Sequence, residues 1–179
     1  MPGFFDKLLG KDDRGKVQSI GYLGNMKDEA SRKKLITFLE GENAEVRAAA
    51  AGALEQHFTS GDVKAIAALT KVLDDPDAGV RKRAALSLGG FIVQAPEAGE
   101  SKAAKQAIIA LLKRETDEGV IKNAIISLAN VQDASLTNPI AEALRGKDKK
   151  VVSMAIDAIN DLPPTDIRLD MKKALRSAL

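Results

Sequence analysis

Cysteine and tryptophan are absent from this chain of 179 residues, histidine and tyrosine occur once each, and aromatic residues make up 3%. Without cysteine there are no disulfides and no thiolate metal or redox centres. His57 stands alone, and metal ligation needs several partners that this sequence does not offer. A single histidine near a helix end reads as a capping or solvent-facing residue. No charge sign prevails: 27 Lys and Arg face 25 Asp and Glu, and the net charge of +2 gives no general pull toward nucleic acid. No apolar run approaches the ~20 residues needed to span a bilayer. The opening decapeptide lacks both the basic leader and the longer apolar core of a secretory signal, so a cytoplasmic location is expected. Alternating β-branched runs are missing too, which argues against a sheet. There is no Ser/His/Asp set, no phosphate-cradling loop and no carboxylate pair at a diagnostic spacing. Gly89-Gly90 lies inside a helical pattern with no strand before it. The sequence therefore points away from an enzyme and away from a cofactor.

What is present is alanine, leucine, isoleucine and valine at helical spacing, within a 45% hydrophobic composition. One stretch, Asp75 to Gly89, organises the rest. Asp77 can cap the first turn of a helix. Val80, Ala84, Ser87, Leu88 and Phe91 then follow at i, i+4, i+7, i+8 and i+11, one face of a 3.6-residue helix. The same pattern recurs with Val46, Ala50 and Leu54, with Val120, Ala124 and Leu128, and with Val151, Ala155 and Ile159. The valines are 80−46 = 34, 120−80 = 40 and 151−120 = 31 residues apart. Periods of this size mean stacked helix pairs, because one pair cannot bury its own apolar face. A fainter copy, Asp12 to Gly24, opens the array.

The motif Asp-x-x-Val-Arg-x-x-Ala with a following Ser-Leu-Gly resembles the HEAT-like repeat, especially the short form named after phycobilisome lyases. The resemblance runs from about Gly15 to Leu162 and is strongest at 43–54 and 77–89. It implies an all-α fold, a right-handed α-α superhelix (a HEAT-like solenoid) of about five helix pairs. It also implies a ladder of Asp and Arg pinning successive turns. Ile121 and Val152 replace the arginine in the third and fourth copies, so the ladder should be weaker in the C-terminal half. The expected organisation is one repeat domain over 1–179, with an N-terminal cap over 1–14, repeats over 15–162 and a C-terminal capping helix over 163–179.

Along the chain, Phe4, Phe5, Leu8 and Leu9 form an apolar stripe suited to covering the exposed end of the stack. Helices are expected at 17–23, 27–39, 44–57, 63–73, 79–93, 102–114, 119–131, 135–145 and 149–160. The segment 94–101 reads as the longest loop and as the source of the 40-residue spacing. The last helix, 165–179, should turn Ile167, Met171, Ala174 and Leu175 inward and Arg168, Lys172, Lys173 and Arg176 outward.

Every strong signal is structural, so the function expected is that of a non-enzymatic scaffold or adaptor that holds a protein segment on its concave surface. In HEAT-like folds the second helix of each pair looks toward that surface. Opposite the buried face of the central helix stand Lys82, Leu86 and Gly89, with Ala48, Gly52 and Glu55, Lys122, Ile126 and Ala129, and Ser153, Asp157 and Asn160 as equivalents. Leu86 and Ile126 would then be neighbouring exposed apolar side chains flanked by Lys82, Arg83, Lys122 and Asn123, a spot suited to an acidic, partly apolar protein segment. Two other functions compete. Nucleic-acid binding needs a cationic groove with stacking aromatics, and an accessory subunit of a bilin-lyase-like complex needs a cavity with aromatic walls. The scarcity of aromatics speaks against both, and nothing points to a membrane or a small-molecule substrate.

Overall fold

The computed structural model describes residues 12–57 and 63–177. Among these the chain forms α-helices and short 3-10 turns, with no strand. The helices are α1 (Asp13–Met26), α2 (Glu29–Phe38), α3 (Ala44–Leu54), α4 (Val63–Lys71), α5 (Ala78–Gln94), α6 (Gly99–Arg114), α7 (Glu118–Asn130), α8 (Thr137–Leu144), α9 (Lys149–Asn160) and α10 (Asp166–Arg176). Residues 58–62, which lead into the expected fourth helix, and the apolar stripe at Phe4, Phe5, Leu8 and Leu9 lie outside the described residues.

The repeat written in the sequence reappears as a repeated helix start. Asp12, Asn43, Asp77, Asp117 and Asp148 are the N-caps of α1, α3, α5, α7 and α9, and each accepts a hydrogen bond from a first-turn N–H. A carboxylate or amide oxygen there satisfies a donor that the helix itself leaves unpaired. These five odd-numbered helices stack side by side in one layer: α3 packs on α1, α5 on α3, α7 on α5 and α9 on α7. The even-numbered helices form the second layer, and the core lies between the two. Leu23, Leu54, Leu88, Leu128 and Ile159, at equivalent positions, are all buried in it. The chain is thus an all-α solenoid of HEAT-like helix pairs.

Small residues form the seam within the odd layer. The Ser87 hydroxyl donates to the Ala51 carbonyl of α3 at 2.8 Å. Gly89 lies so close to α7 that a Cβ there would stand 2.5 Å from the Ser127 Cβ, so no larger residue fits. Gly24 meets Ala53 in the same way between α1 and α3.

Three expectations are corrected. The stretch 94–101 is not a long loop: α6 begins at Gly99, with Ala98 as its N-cap residue. The 40-residue spacing comes from long helices, 17 residues in α5 and 16 in α6. His57 is buried, 3% exposed, and its Nε2 lies 2.7 Å from the Leu23 carbonyl oxygen. Its ring ties α3 to α1. Arg168 is buried instead of outward, because it reaches across to the C-terminal end of α7.

Candidate interaction face

The solvent side of the odd layer carries the sequence-derived site. Lys82, Arg83 and Leu86 project from α5, and Lys122, Asn123 and Ile126 from α7 at the equivalent positions. Lys82, Arg83 and Lys122 are exposed; Leu86, Asn123 and Ile126 are half-buried. Leu86 and Ile126 are therefore less bare than expected. Ala129 does not reach this face, being buried in the seam toward the next helix, whereas Gly89, buried against Ser127, lines a depression between α5 and α7. The face runs one position further on, through Gly90 and Asn130. A projection at 100° per residue finds the side opposite the core but not the sideways contact with a stacked neighbour.

Two depressions meet on this face. One, of about 670 Å³, lies between α1 and α3 over a floor of Gly21, Gly24, Ala48, Ala49 and Gly52. The other, of about 530 Å³, lies between α5 and α7 and is walled by Leu86, Val93, Gln94 and Asn130. Glu55 and Arg83 border both. The Arg83 stem rests over Gly52, where a Cβ would stand 3.0 Å from its Cδ, and the Glu55 carboxylate rests likewise over Gly90. Among the described residues Arg83 and Lys82 have no ion-pair partner, whereas Lys122 faces Asp161 at 3.9 Å. Asn123 donates to the Gly119 carbonyl of its own helix. Arg83 and Leu86 are thus brought together at a cavity, while Lys82, Lys122, Asn123 and Ile126 share the face without lining it. Val93, 49% exposed, belongs to the same wall and was missed. It follows Leu86 at i+7, which was the signal available.

Behind this face the expected ladder is present and has two rungs. Arg47 grips Asp75 with two hydrogen bonds, of 2.7 and 2.8 Å, and donates to the Gly41 and Glu42 carbonyls. Arg81 grips Glu115 at 2.7 and 3.0 Å and donates to the Asp75 and Pro76 carbonyls. Each arginine so pins the turn before its own helix to the acidic residue before the next motif helix. Burial pushes the Asp75 and Glu115 carboxyls up, but the arginine hydrogen bonds and the backbone N–H groups they accept outweigh it and leave both below their ordinary values. The third rung is missing: Ile121 is buried and Gly146, with φ of 80°, takes the place of the acid. Lys147 reaches back instead and donates to the Glu115 carbonyl at 2.8 Å. These are structural contacts. No group of three or more His, Cys, Asp or Glu able to hold a metal is found among the described residues.

Residues 1–89 match the family model for HEAT repeats. An engineered protein solved by a structural genomics consortium is 22% identical over 97% of this chain and 96% of its own, with a TM-score of 0.53. The complex of CpcE and CpcF of phycocyanin lyase from Nostoc sp. aligns at 18% identity over 98% of this chain and 93% of that one, with a TM-score of 0.47. Comparison with curated proteins gives no match. The match covers just under half of the chain, and with the five capped motif helices it makes the fold of the described residues that of a HEAT-like helical repeat.

Proposed function

We propose that this chain is a non-enzymatic scaffold that holds a segment of another protein along the solvent side of its odd layer. The observation that supports the reading most is the junction of the two depressions, where Arg83 stands without an ion-pair partner among the described residues, beside half-buried Leu86 and exposed Val93. An apolar side chain of the partner would gain by burial against Leu86 and Val93, and a carboxylate would be drawn to Arg83 and Lys82. Lys122, Asn123 and Ile126 extend the same surface along α7. The partner is thus an acidic, partly apolar segment. Residues 1–179 act as one repeat unit, closed at its C-terminal side by the helix within 163–179. No helix among the described residues is long and apolar enough to cross a membrane, and a cytoplasmic setting is part of the proposal.

The test is differential capture from the native source with the parent chain and with Leu86→Ser/Ile126→Ser. A protein enriched by the parent and lost with the variant, at unchanged melting temperature, supports the reading. Both side chains are half-buried, so the expected stability cost is below about 1 kcal/mol each. A drop of many degrees, with binding lost only on unfolding, sinks it. Salt-sensitive binding to a random DNA duplex would redirect the assignment to nucleic acid.

A further inference from the structure

Gly24 and Gly89 give room to a neighbouring helix, but two other helical glycines on the binding face do not. The three atoms nearest a Cβ on Gly52 of α3 all belong to Arg83, and the three nearest a Cβ on Gly90 of α5 all belong to Glu55. Glycine weakens a helix relative to alanine, so each position gives up helix stability where a charged side chain lies across it. The seats are reciprocal. Arg83 crosses from α5 to α3, its Nε 3.3 Å from where a Cβ of Gly52 would be. Glu55 crosses from α3 to α5, its Oε1 2.8 Å from where a Cβ of Gly90 would be. Opposite charges on neighbouring helices ordinarily neutralise each other, yet these two make no ion pair with each other or with any other described residue. The seats keep them apart. Gly52 is equivalent to Leu86, since 86−52 = 34 matches 80−46 = 34, and Gly90 stands 90−86 = 4 residues further on. Four residues are about 6 Å of helix, so cation and anion are seated one turn apart along the seam.

We propose that the partner segment is bipolar: it presents a carboxylate to Arg83 and, about 6 Å along the seam, an ammonium or guanidinium to Glu55. The proposal rests on the reading of this face as a protein-binding surface, and adds to that reading a cation and a spacing. Charge complementarity selects the occupant. Arg83 and Glu55 both border both depressions, and Glu55 is half-buried, so one segment lying across the junction meets the two together. A wholly acidic segment would satisfy Arg83 and set a like charge against Glu55, which a bipolar one avoids. Side chains already laid over their seats also lose less freedom when the partner arrives. A free amino acid is excluded by distance, because it carries both charges on a single carbon. Same-side residues of a protein segment match the separation, whether one turn apart on a helix or two apart on an extended chain.

A displayed library of random linear peptides, selected on the full chain and on Glu55→Lys, tests this. Peptides enriched on the parent should carry an Asp or Glu and a Lys or Arg at one fixed same-side spacing. On Glu55→Lys the basic position should turn acidic while the other carboxylate stays. Fluorescence anisotropy of an enriched peptide should show severalfold weaker binding to Glu55→Gln and to Arg83→Gln. Helical circular dichroism and the urea midpoint of both variants should match the parent. Enrichment of acidic residues alone, or the same peptides from parent and Glu55→Lys, overturns the bipolar partner and leaves the acidic-segment reading standing. Enrichment without either charge, or no enrichment at all, overturns both.

Discussion

The repeats up to α6 and those after it are joined in different ways. In the first part, Arg47 and Arg81 bridge successive motif helices through bidentate pairs to Asp75 and Glu115, whose side chains are 6% and 4% exposed. In the second part the arginine position holds buried Ile121 and Val152, and the link is made by hydrocarbon, by Lys147 on the Glu115 carbonyl, by the exposed Lys150–Glu118 pair and by Arg168. Arg168 has no carboxylate: it donates to the Ala129 and Pro163 carbonyls and to the Asn130 side chain. The same backbone repeat therefore accepts an ion pair or an apolar contact at one position. The difference is vulnerability, not strength. A buried pair contributes little net stability against a hydrophobic replacement, yet removing one member strands the other in a medium that solvates it poorly.

The largest effect is expected where the two parts meet. Leu88 is fully buried on α5, the helix on which α7, the first motif helix of the second part, packs. Leu88→Asp should cost on the order of 5 kcal/mol, since a lone carboxylate would have no partner in that core. Urea denaturation followed by circular dichroism reads it, and melting like the parent would show that the packing assigned to α5 is wrong. Next comes Arg81→Met, which leaves Glu115 buried and charged and should cost about 3–5 kcal/mol. Arg168→Met is the counterpart in the second part. It strands only neutral acceptors, one of which lies near solvent on exposed Asn130, and should cost about 1–3 kcal/mol. Equal losses from the two arginine variants would erase the distinction between the two parts.

The five helix starts, the two layers and the two-rung ladder were legible because each rests on local chemistry: a cap, a 3.6-residue period, an arginine at a fixed offset. The misreadings share another cause. Ala129 was assigned to the open face because helical projection knows the core but not the lateral neighbour. Arg168 reads as solvent-exposed in an amphipathic pattern, and only the fold shows the Ala129 carbonyl and the Asn130 side chain at the end of α7 that draw it in. His57 is buried for a similar reason, since the Leu23 carbonyl it meets is 34 residues away. Of the binding face, the positions on α5 and α7 were legible. The seating of Arg83 over Gly52 was not, because it depends on how closely α3 and α5 approach.

Acid should separate the two kinds of joint as well, with a smaller effect. The Asp75 and Glu115 carboxyls titrate below their usual values in the folded chain. Their contribution is then complete above the unfolded values, near pH 4–4.5, and is lost as pH falls through the lower folded ones. Asp133, held down to about 2 by hydrogen bonds from Lys105 and Ser135, behaves the same way at the turn before α8. Between pH 7 and pH 3 the urea midpoint of the parent should fall, and Glu115→Gln should flatten that slope. A parent whose urea midpoint does not move over this range would contradict the assignment.

The smallest effect is also the sharpest comparison. Arg81→Met/Glu115→Gln gives the second rung the apolar character of the Ile121 joint without leaving a buried charge. Glutamine keeps a carbonyl oxygen where Glu115 accepts the N–H groups of Thr116 and Asp117 at 3.0 Å, so the turn before α7 retains its support. Methionine keeps most of the volume and loses the hydrogen bonds of Arg81 to the Asp75 and Pro76 carbonyls. Pro76 is exposed, so one of those carbonyls can turn to water. The double variant should therefore lie within about 1 kcal/mol of the parent, well above Arg81→Met alone, with a coupling of about 2 kcal/mol or more from the cycle. Additive losses would mean that the rung contributes through its charge and geometry in a way the apolar joint does not match. The two parts of the solenoid would then differ in strength as well as in vulnerability.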